Sequence, residues 1–224
     1  MTSEHVLAAN VNLCDPDVRL MLAVKEDDAS AFEELMSRYQ GRIFSLLYNT
    51  INNREAAEDL TQDVFLRVFR ARKTYQPDAK FSTWLFTIAN NVALNAIRSK
   101  IRKPEVQIGI ACKDASKSNP VIFAEDSIVA SSGTIPTRRL EKLEMRQMVQ
   151  LAVAGLGERQ RMAVLLHKFE GMSYIEIAKI MDMTPQALKS LLVRARLNLR
   201  ETLQAYIKHG DKVKEKERTE KTKK

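Results

Sequence analysis

The 224-residue chain is poor in cysteine, with two in all, and Cys14 and Cys112 lie too far apart for a zinc or redox spacing. A disulfide scaffold and a Cys-rich metal centre are thereby excluded. Only 7 Gly and 6 Pro are present, which excludes collagen-like, elastic and Pro-rich proteins. No apolar run nears the ~20 residues of a membrane span. Met1 to Asn12 lacks the basic start and apolar core of an export signal, so a cytoplasmic, non-inserted protein is expected. What the chain does contain is Leu, Ala, Met, Lys, Arg and Glu in quantity, the composition of helices.

The net charge of +8 is unevenly spread. Residues 1–16 carry −2, 17–103 carry +3, 104–137 carry −2, 138–207 carry +5 and 208–224 carry +4. The last stretch has no apolar residue after Val213, so it reads as a Lys-rich tail, disordered or a frayed helix. The +5 of 138–207 falls instead on a segment with a clear apolar period.

Residues 17–103 read as one helical unit behind a short extension, 1–16. Asp15-Pro16 and Asp28 look like helix starts. Phe32, Leu35, Met36, Tyr39, Ile43, Leu46, Leu47 and Ile51 recur every three or four residues, with an interruption expected near Gly41. Asn52, three before Glu55, is expected to open a helix from 54 to about 73. Thr74 to Lys80 breaks the pattern, and a further helix runs from about Ser82 to Arg102. Residues 104–137 hold Pro104, Pro120, Gly133 and Pro136 without sustained period and read as a linker. A second helical unit covers 138–207, with helices at 138–154 and 158–169 ending before Gly171.

Within that second unit lies the most specific local signal. Ser173-Tyr174-Ile175-Glu176 is a capping box opening a short helix. Asp182-Met183-Thr184 makes a three-residue turn, and Pro185 opens another helix with Leu188, Leu191, Leu192 and Ala195 inward. This is a helix-turn-helix. Its outward face carries Gln186, Ala187, Lys189, Ser190, Val193, Arg194 and Leu197: Gln pairs with adenine, Lys and Arg with guanine, and Val meets a thymine methyl. Arg196 and Arg200 are placed to neutralise phosphates.

The helix near 82–102 has its own polar face, Thr87, Asn90, Asn91, Asn95 and Arg98, although Asn is a weak helix former. Tyr75, Phe81 and Trp84 sit just before or at its start, and aromatics beside basic residues suit stacking on unpaired bases. Trp84 reads as core; Tyr75 and Phe81 are the expected stackers. The helix at 54–73 shows Asp59, Gln62 and Asp63 opposite its apolar side. Two carboxylates at i and i+4 also suit a metal-dependent hydrolase, but neither a phosphate-binding Gly loop nor a His pair accompanies them. A docking face for a helical partner fits better, and no cofactor, metal or catalytic residue is expected.

With those residues identified, the chain resembles a bacterial RNA polymerase sigma factor of the extracytoplasmic-function group of the sigma-70 family. The resemblance covers 17–103 and 138–207. Ala57-Glu58-Asp59-Leu60-Thr61-Gln62-Asp63-Val64-Phe65 is similar to the helix that grips the β′ clamp of core polymerase. Phe81-Ser82-Thr83-Trp84-Leu85-Phe86-Thr87-Ile88-Ala89-Asn90-Asn91 resembles the stretch that melts promoter DNA and reads the minus-ten box on the non-template strand. The helix-turn-helix, with Leu188-Lys189-Ser190 and Arg194-Ala195-Arg196, resembles the domain that reads the minus-thirty-five box as duplex. Leu191 departs from an Arg common in the family, so one DNA contact is either missing or moved to Lys189 or Arg194.

The resemblance implies an all-α protein of two small helical domains on a flexible linker, itself without catalytic activity. Core polymerase, through its β′ clamp and β flap, would be one partner; promoter DNA, duplex and melted, another; an anti-sigma factor a third. Asp59, Gln62 and Asp63 would bind polymerase. Tyr75, Phe81, Asn90, Asn91, Asn95 and Arg98 would hold melted DNA, and Gln186, Lys189, Ser190, Arg194 and Arg196 would contact the duplex upstream. The alternative is a polymerase-independent helix-turn-helix regulator, which has no need of the aromatic and Asn region.

Overall fold

Helix signals in the sequence translate into a bundle made of two packed groups. The structure, a computed structural model, describes residues 15–102, 145 and 147–221. The N-terminal extension to residue 14, the expected linker and the first half of the expected 138–154 helix lie outside the described residues. The elements are α1 (Pro16–Lys25), α2 (Ala29–Ile51), α3 (Arg54–Ala71) with a 3-10 turn at Arg72–Thr74, α4 (Phe81–Arg102), α5 (147–154), α6 (Glu158–Lys168), α7 (Tyr174–Ile180) and α8 (Pro185–Lys221). Among the described residues there is no strand.

The caps follow the sequence closely. Asp15 accepts from the Asp17 amide, with Pro16 as the first residue of α1. Asp28 Oδ1 accepts from the Ser30 and Ala31 amides at 2.9 and 3.2 Å. These contacts satisfy amides that the helix leaves without partners. Two local expectations are corrected. α2 runs unbroken through Gly41, which is exposed and makes no contact where a Cβ would sit. A helical Gly disfavours the helix by roughly 0.5–1 kcal/mol against Ala; the flanking Tyr39 and Ile43 are both buried, and burial of each outweighs that. At the next junction Asn53, not Asn52, is the cap, accepting from the Ala56 amide at 2.9 Å. Asn52 ends α2 in the left-handed region, φ 56°, which Asn tolerates better than most residues.

In the first group α2 packs on α1, α3 and α4, and α3 on α4. Val18, Met21, Leu35, Ile43, Leu47, Val64, Phe81, Leu85 and Phe86 are all buried there. In the second group α6 packs on α8 and α7, and α7 on α8, around Met162, Leu166, Ile177, Ile180, Leu188 and Leu192. The groups are not separate: α4 lies against α7 and α2 against α6, and one continuous apolar cluster joins them. α8 extends beyond the boundary expected near 207, its backbone helical to Lys221.

Candidate nucleic-acid and polymerase interface

Three surfaces carry the residues singled out in the sequence. The first is the outer side of α3. Asp59 and Gln62 are exposed, and Asp63, half-buried, accepts from Arg67 Nε at 2.9 Å one turn on. Leu66 and Phe69 continue the surface, 46% and 40% exposed. Phe69 rests against Phe32 at 5.3 Å and carries the Arg72 guanidinium 4.0 Å over its ring. The apolar pair was missed in the sequence because Phe69 reads as core; its signal is the i, i+3, i+4, i+7 row Asp59-Gln62-Asp63-Leu66. The face is thus acidic at one end and apolar at the other.

The second surface is α4 and the loop before it. Asn91, Asn95 and Arg98 are exposed along one stripe, with Thr87 half-buried at its start. Asn90 is not with them. It lies on the stripe of Phe86 and Ala93, is 3% exposed, and donates from Nδ2 to the Ile180 carbonyl oxygen at 3.1 Å. The aromatic expectation is corrected for Tyr75 and Phe81, while Trp84 packs against the core as expected. Tyr75 and Phe81 are buried, at 2% and 1% exposure, and Trp84 is the partly exposed ring. Phe81 meets Tyr39 edge-on at 5.4 Å, and Tyr75 meets Trp84 edge-on at 4.9 Å. The reason is geometric: the break at 75–80 folds back over α1, where Lys25 Nζ donates to the Tyr75 carbonyl at 3.0 Å, and that turns both rings inward. In this conformation neither ring is open to a base.

The Tyr75 hydroxyl is buried without a hydrogen-bond partner among the described residues. Burial pushes its phenol up to about 12, with Asp15 and Asp78 adding to the shift. A phenol raised above its unfolded value stabilises the fold below pH ~10 and loses that contribution as pH rises toward 12. Tyr75→Phe removes the unpaired hydroxyl, so it is expected to raise stability by about 1 kcal/mol at pH 7. It should also flatten the decline between pH 10 and 12, as urea melts across that range would register.

The third surface is the helix-turn-helix, built as its sequence implies. Ser173 and Glu176 form the reciprocal capping box. Asp182 is left-handed, φ 49°, and the Ala187 amide donates to Thr184 Oγ1 at 3.2 Å. Ala178 is buried where the helices cross, and Leu188, Leu192 and Ala195 are buried beneath α8. Gln186, Lys189, Ser190, Val193 and Arg194 stand exposed on its outer face. Arg196 turns the other way and donates to the Tyr174 hydroxyl at 3.1 Å, off the reading face.

Polar contacts also tie the two groups. Arg42 donates from Nε and Nη2 to Glu170 Oε2 at 2.8 and 2.5 Å, and the Glu170 side chain is only 8% exposed. Burial raises the Glu170 carboxyl above its usual value, and the Arg42 charge offsets only part of that. Lys80 Nζ reaches Glu176 Oε1 at 3.0 Å. Arg161 Nη1 donates to the Thr50 carbonyl at 2.8 Å.

One unit presents an amide- and arginine-bearing helix beside an acidic and apolar face, and the other a helix-turn-helix with a basic outer surface. Together they define a helical DNA-reading protein. Comparison with known proteins narrows this. Residues 35–103 match the model of Sigma-70 region 2, and residues 146–199 that of Sigma-70, region 4. The ECF RNA polymerase sigma-E factor of Escherichia coli K12 is 31% identical over 185 residues, 80% of this chain and 90% of that one. RNA polymerase sigma-H factor of Pseudomonas aeruginosa is 29% identical over 196 residues, covering 88% and 98%. Among solved structures, CnrH in complex with the cytosolic domain of CnrY superposes with TM-score 0.59 at 21% identity, covering 85% of this chain and 99% of that one. The sigma factor RpoE from Bartonella quintana, in complex with the anti-sigma factor NepR, superposes with TM-score 0.57 at 22% identity, covering 77% and 96%. The chain belongs to the sigma-70 family, within its ECF group, and directs RNA polymerase to promoters.

Proposed function

We propose that the three surfaces divide the work of initiation. The α3 face, with Asp59, Gln62 and Asp63 joined by Leu66 and Phe69, docks on the β′ clamp of core polymerase. The stripe Asn91-Asn95-Arg98, with Asn90 once it is released, holds the melted non-template strand at the minus-ten box. Gln186, Lys189, Ser190 and Arg194 read the minus-thirty-five box in the major groove, while the second unit seats on the β flap. Tyr75 and Phe81 act by holding the 75–80 loop in shape rather than by stacking. Arg196 braces α7. The protein supplies no catalytic group of its own, works in the cytoplasm beside polymerase, and is held in check by an anti-sigma factor of the kind bound in the RpoE structure.

The observation that carries this reading is the pairing of a basic, outward recognition helix with a second amide-rich helix on the same chain. A duplex-only regulator needs the first and not the second. Run-off transcription on a genomic fragment library, with core polymerase alone and with the protein added, tests it. Discrete new start sites appearing only with the protein are expected; duplex shifts without polymerase and no new starts would favour the independent regulator. Once a promoter is known, Lys189→Ala or Arg194→Ala should weaken binding to its upstream box by about 1–3 kcal/mol and relax specificity there if the residue reads a base. A loss equal on every sequence would assign that residue to phosphate instead.

A further inference from the structure

The turn between α1 and α2 is tied to a segment of chain far along the sequence. Asp27 stands in that turn in the left-handed region, φ 67°, a conformation that glycine adopts at least cost and that Asp tolerates. What glycine would lack is the carboxylate, and here both carboxylate oxygens are engaged. Oδ1 accepts from Arg72 Nε and Nη2, each at 3.0 Å, and Oδ2 accepts from Lys73 Nζ at 2.6 Å. Lys73 Nζ also donates to the Lys25 carbonyl at 2.6 Å, and Lys25 Nζ donates to the Tyr75 carbonyl at 3.0 Å. The hydrogen bond from Lys73, then that from Arg72, holds the Asp27 carboxyl below its ordinary value. The 3-10 turn at Arg72–Thr74 and the residue after it are thereby pinned at positions 72, 73 and 75 to residues 25 and 27.

The place of these ties in the fold gives them a purpose. Past Tyr75 the chain forms the loop 76–80, with Gln76, Asp78 and Lys80 exposed, and enters α4 at Phe81. That loop stands at the head of the helix whose stripe Asn91-Asn95-Arg98 is assigned to the melted strand. The buried rings of Tyr75 and Phe81 anchor the two ends of the loop from within. The Asp27 turn fixes its entry from outside, and so sets the direction in which the chain leaves Tyr75. Resting on the sigma-factor reading above, we propose that Asp27 is a positioning residue for strand capture, holding the 76–80 loop in the geometry that receives unpaired bases. It acts through the backbone of 72–75 and not on DNA itself. Unstacking a base has a cost of its own, and a loop that is already ordered adds no second cost to it. Asp27 lies ahead of residues 35–103, the stretch that matches Sigma-70 region 2.

Charge alone makes the opposite prediction. Removing an anion near a nucleic-acid path strengthens the attraction for phosphates, whereas removing a pin weakens capture. In the full chain, Asp27→Gly keeps the left-handed turn and loses the carboxylate, and Asp27→Asn keeps the turn and one acceptor oxygen. The probe is a fork-junction DNA with its non-template minus-ten strand unpaired, taken from a promoter located by run-off transcription and bound by the protein together with bacterial core polymerase. Asp27→Gly is expected to weaken fork capture about tenfold, the loss for a loop that keeps its pinned geometry about one-tenth of the time. Asp27→Asn should lose less. Affinity for core polymerase should stay at the wild-type value, and the melting temperature within about 5 °C of it, since exposed ion pairs add little to stability. Fork capture that is unchanged or tightened in Asp27→Gly would overturn the proposal. So would a fall in fork capture matched by an equal fall in polymerase affinity, which would make Asp27 a part of the fold only. A wild-type protein that captures no fork with core polymerase would instead overturn the sigma-factor reading on which the proposal depends.

Discussion

Phe81→Ala is expected to melt the first unit rather than to impair DNA opening alone. The ring is 1% exposed and lies edge-on to Tyr39 and near Trp84. Truncating a buried Phe removes its transfer free energy and leaves a cavity, about 3–5 kcal/mol in comparable cores. The lost edge contacts add to that. For a unit of this size such a loss lowers the melting temperature by on the order of 20 °C. Phe81→Leu, which refills most of the space, should keep well over half of the stability. Calorimetry of the two variants separates the roles cleanly. A base-stacking Phe81 would leave the melting temperature near wild type in both and show its effect only in promoter opening.

The second large effect is expected at Arg161, which sequence reading left unmarked. Its guanidinium donates to four carbonyls: Val153 at 3.2 Å, Leu156 at 3.0 Å, Thr50 at 2.8 Å, and Ala154. Three of these belong to the end of α5 and the turn after it, where a helix leaves its last carbonyls without partners. The fourth lies near the end of α2. Burial makes the guanidinium easier to deprotonate than usual, yet arginine remains charged in proteins. Arg161→Met should lower stability by about 3 kcal/mol, since hydrogen bonds to a charged group contribute more than neutral ones and several acceptors lose their partner at once. Arg161→Lys should recover less than half of that, because a single ammonium cannot span the fork. Full recovery by Lys in a urea melt would mean that charge alone, not the geometry of the fork, holds the two helix ends.

Much of the local structure was legible because its determinants are local. Asp15-Pro16, Asp28, Ser173 with Glu176, and Thr184 with Pro185 each announce a helix start through groups within three residues of one another. The outward face of α8 followed from the period of Leu188, Leu192 and Ala195. Apart from the helix break expected at Gly41 and the cap assigned to Asn52 instead of Asn53, the misreadings involve partners distant in sequence. Phe69 has an apolar side chain in an apolar period, and only its position at the rim beside Phe32 leaves it 40% exposed. Tyr75 and Phe81 look like loop aromatics until α1 and α2 close around them. Asn90 shares the amides of Asn91 and Asn95, and it takes the third dimension to show that one step of 100° around the helix turns it toward α7 instead of solvent. Arg42, Arg161 and Glu170 carry no motif; each acquires its role from partners outside its own helix, and for Arg42 and Glu170 the separation is 128 residues.

The length of α8 has a mechanical consequence. Pro185–Lys221 is a single helix of 37 residues, about 55 Å end to end at ~1.5 Å per residue. Among its described side chains, which end at Gln204, Leu199 is the last packed on the apolar cluster. The helix backbone continues for roughly 33 Å beyond that residue, while Gln186 and Lys189, proposed above to read DNA, lie in its first turns. A helix unbroken over that length couples the directions of its two ends. Under the proposed reading, the angle at which Gln186 and Lys189 meet the bases is therefore fixed together with the direction in which the C-terminal end of the same helix points.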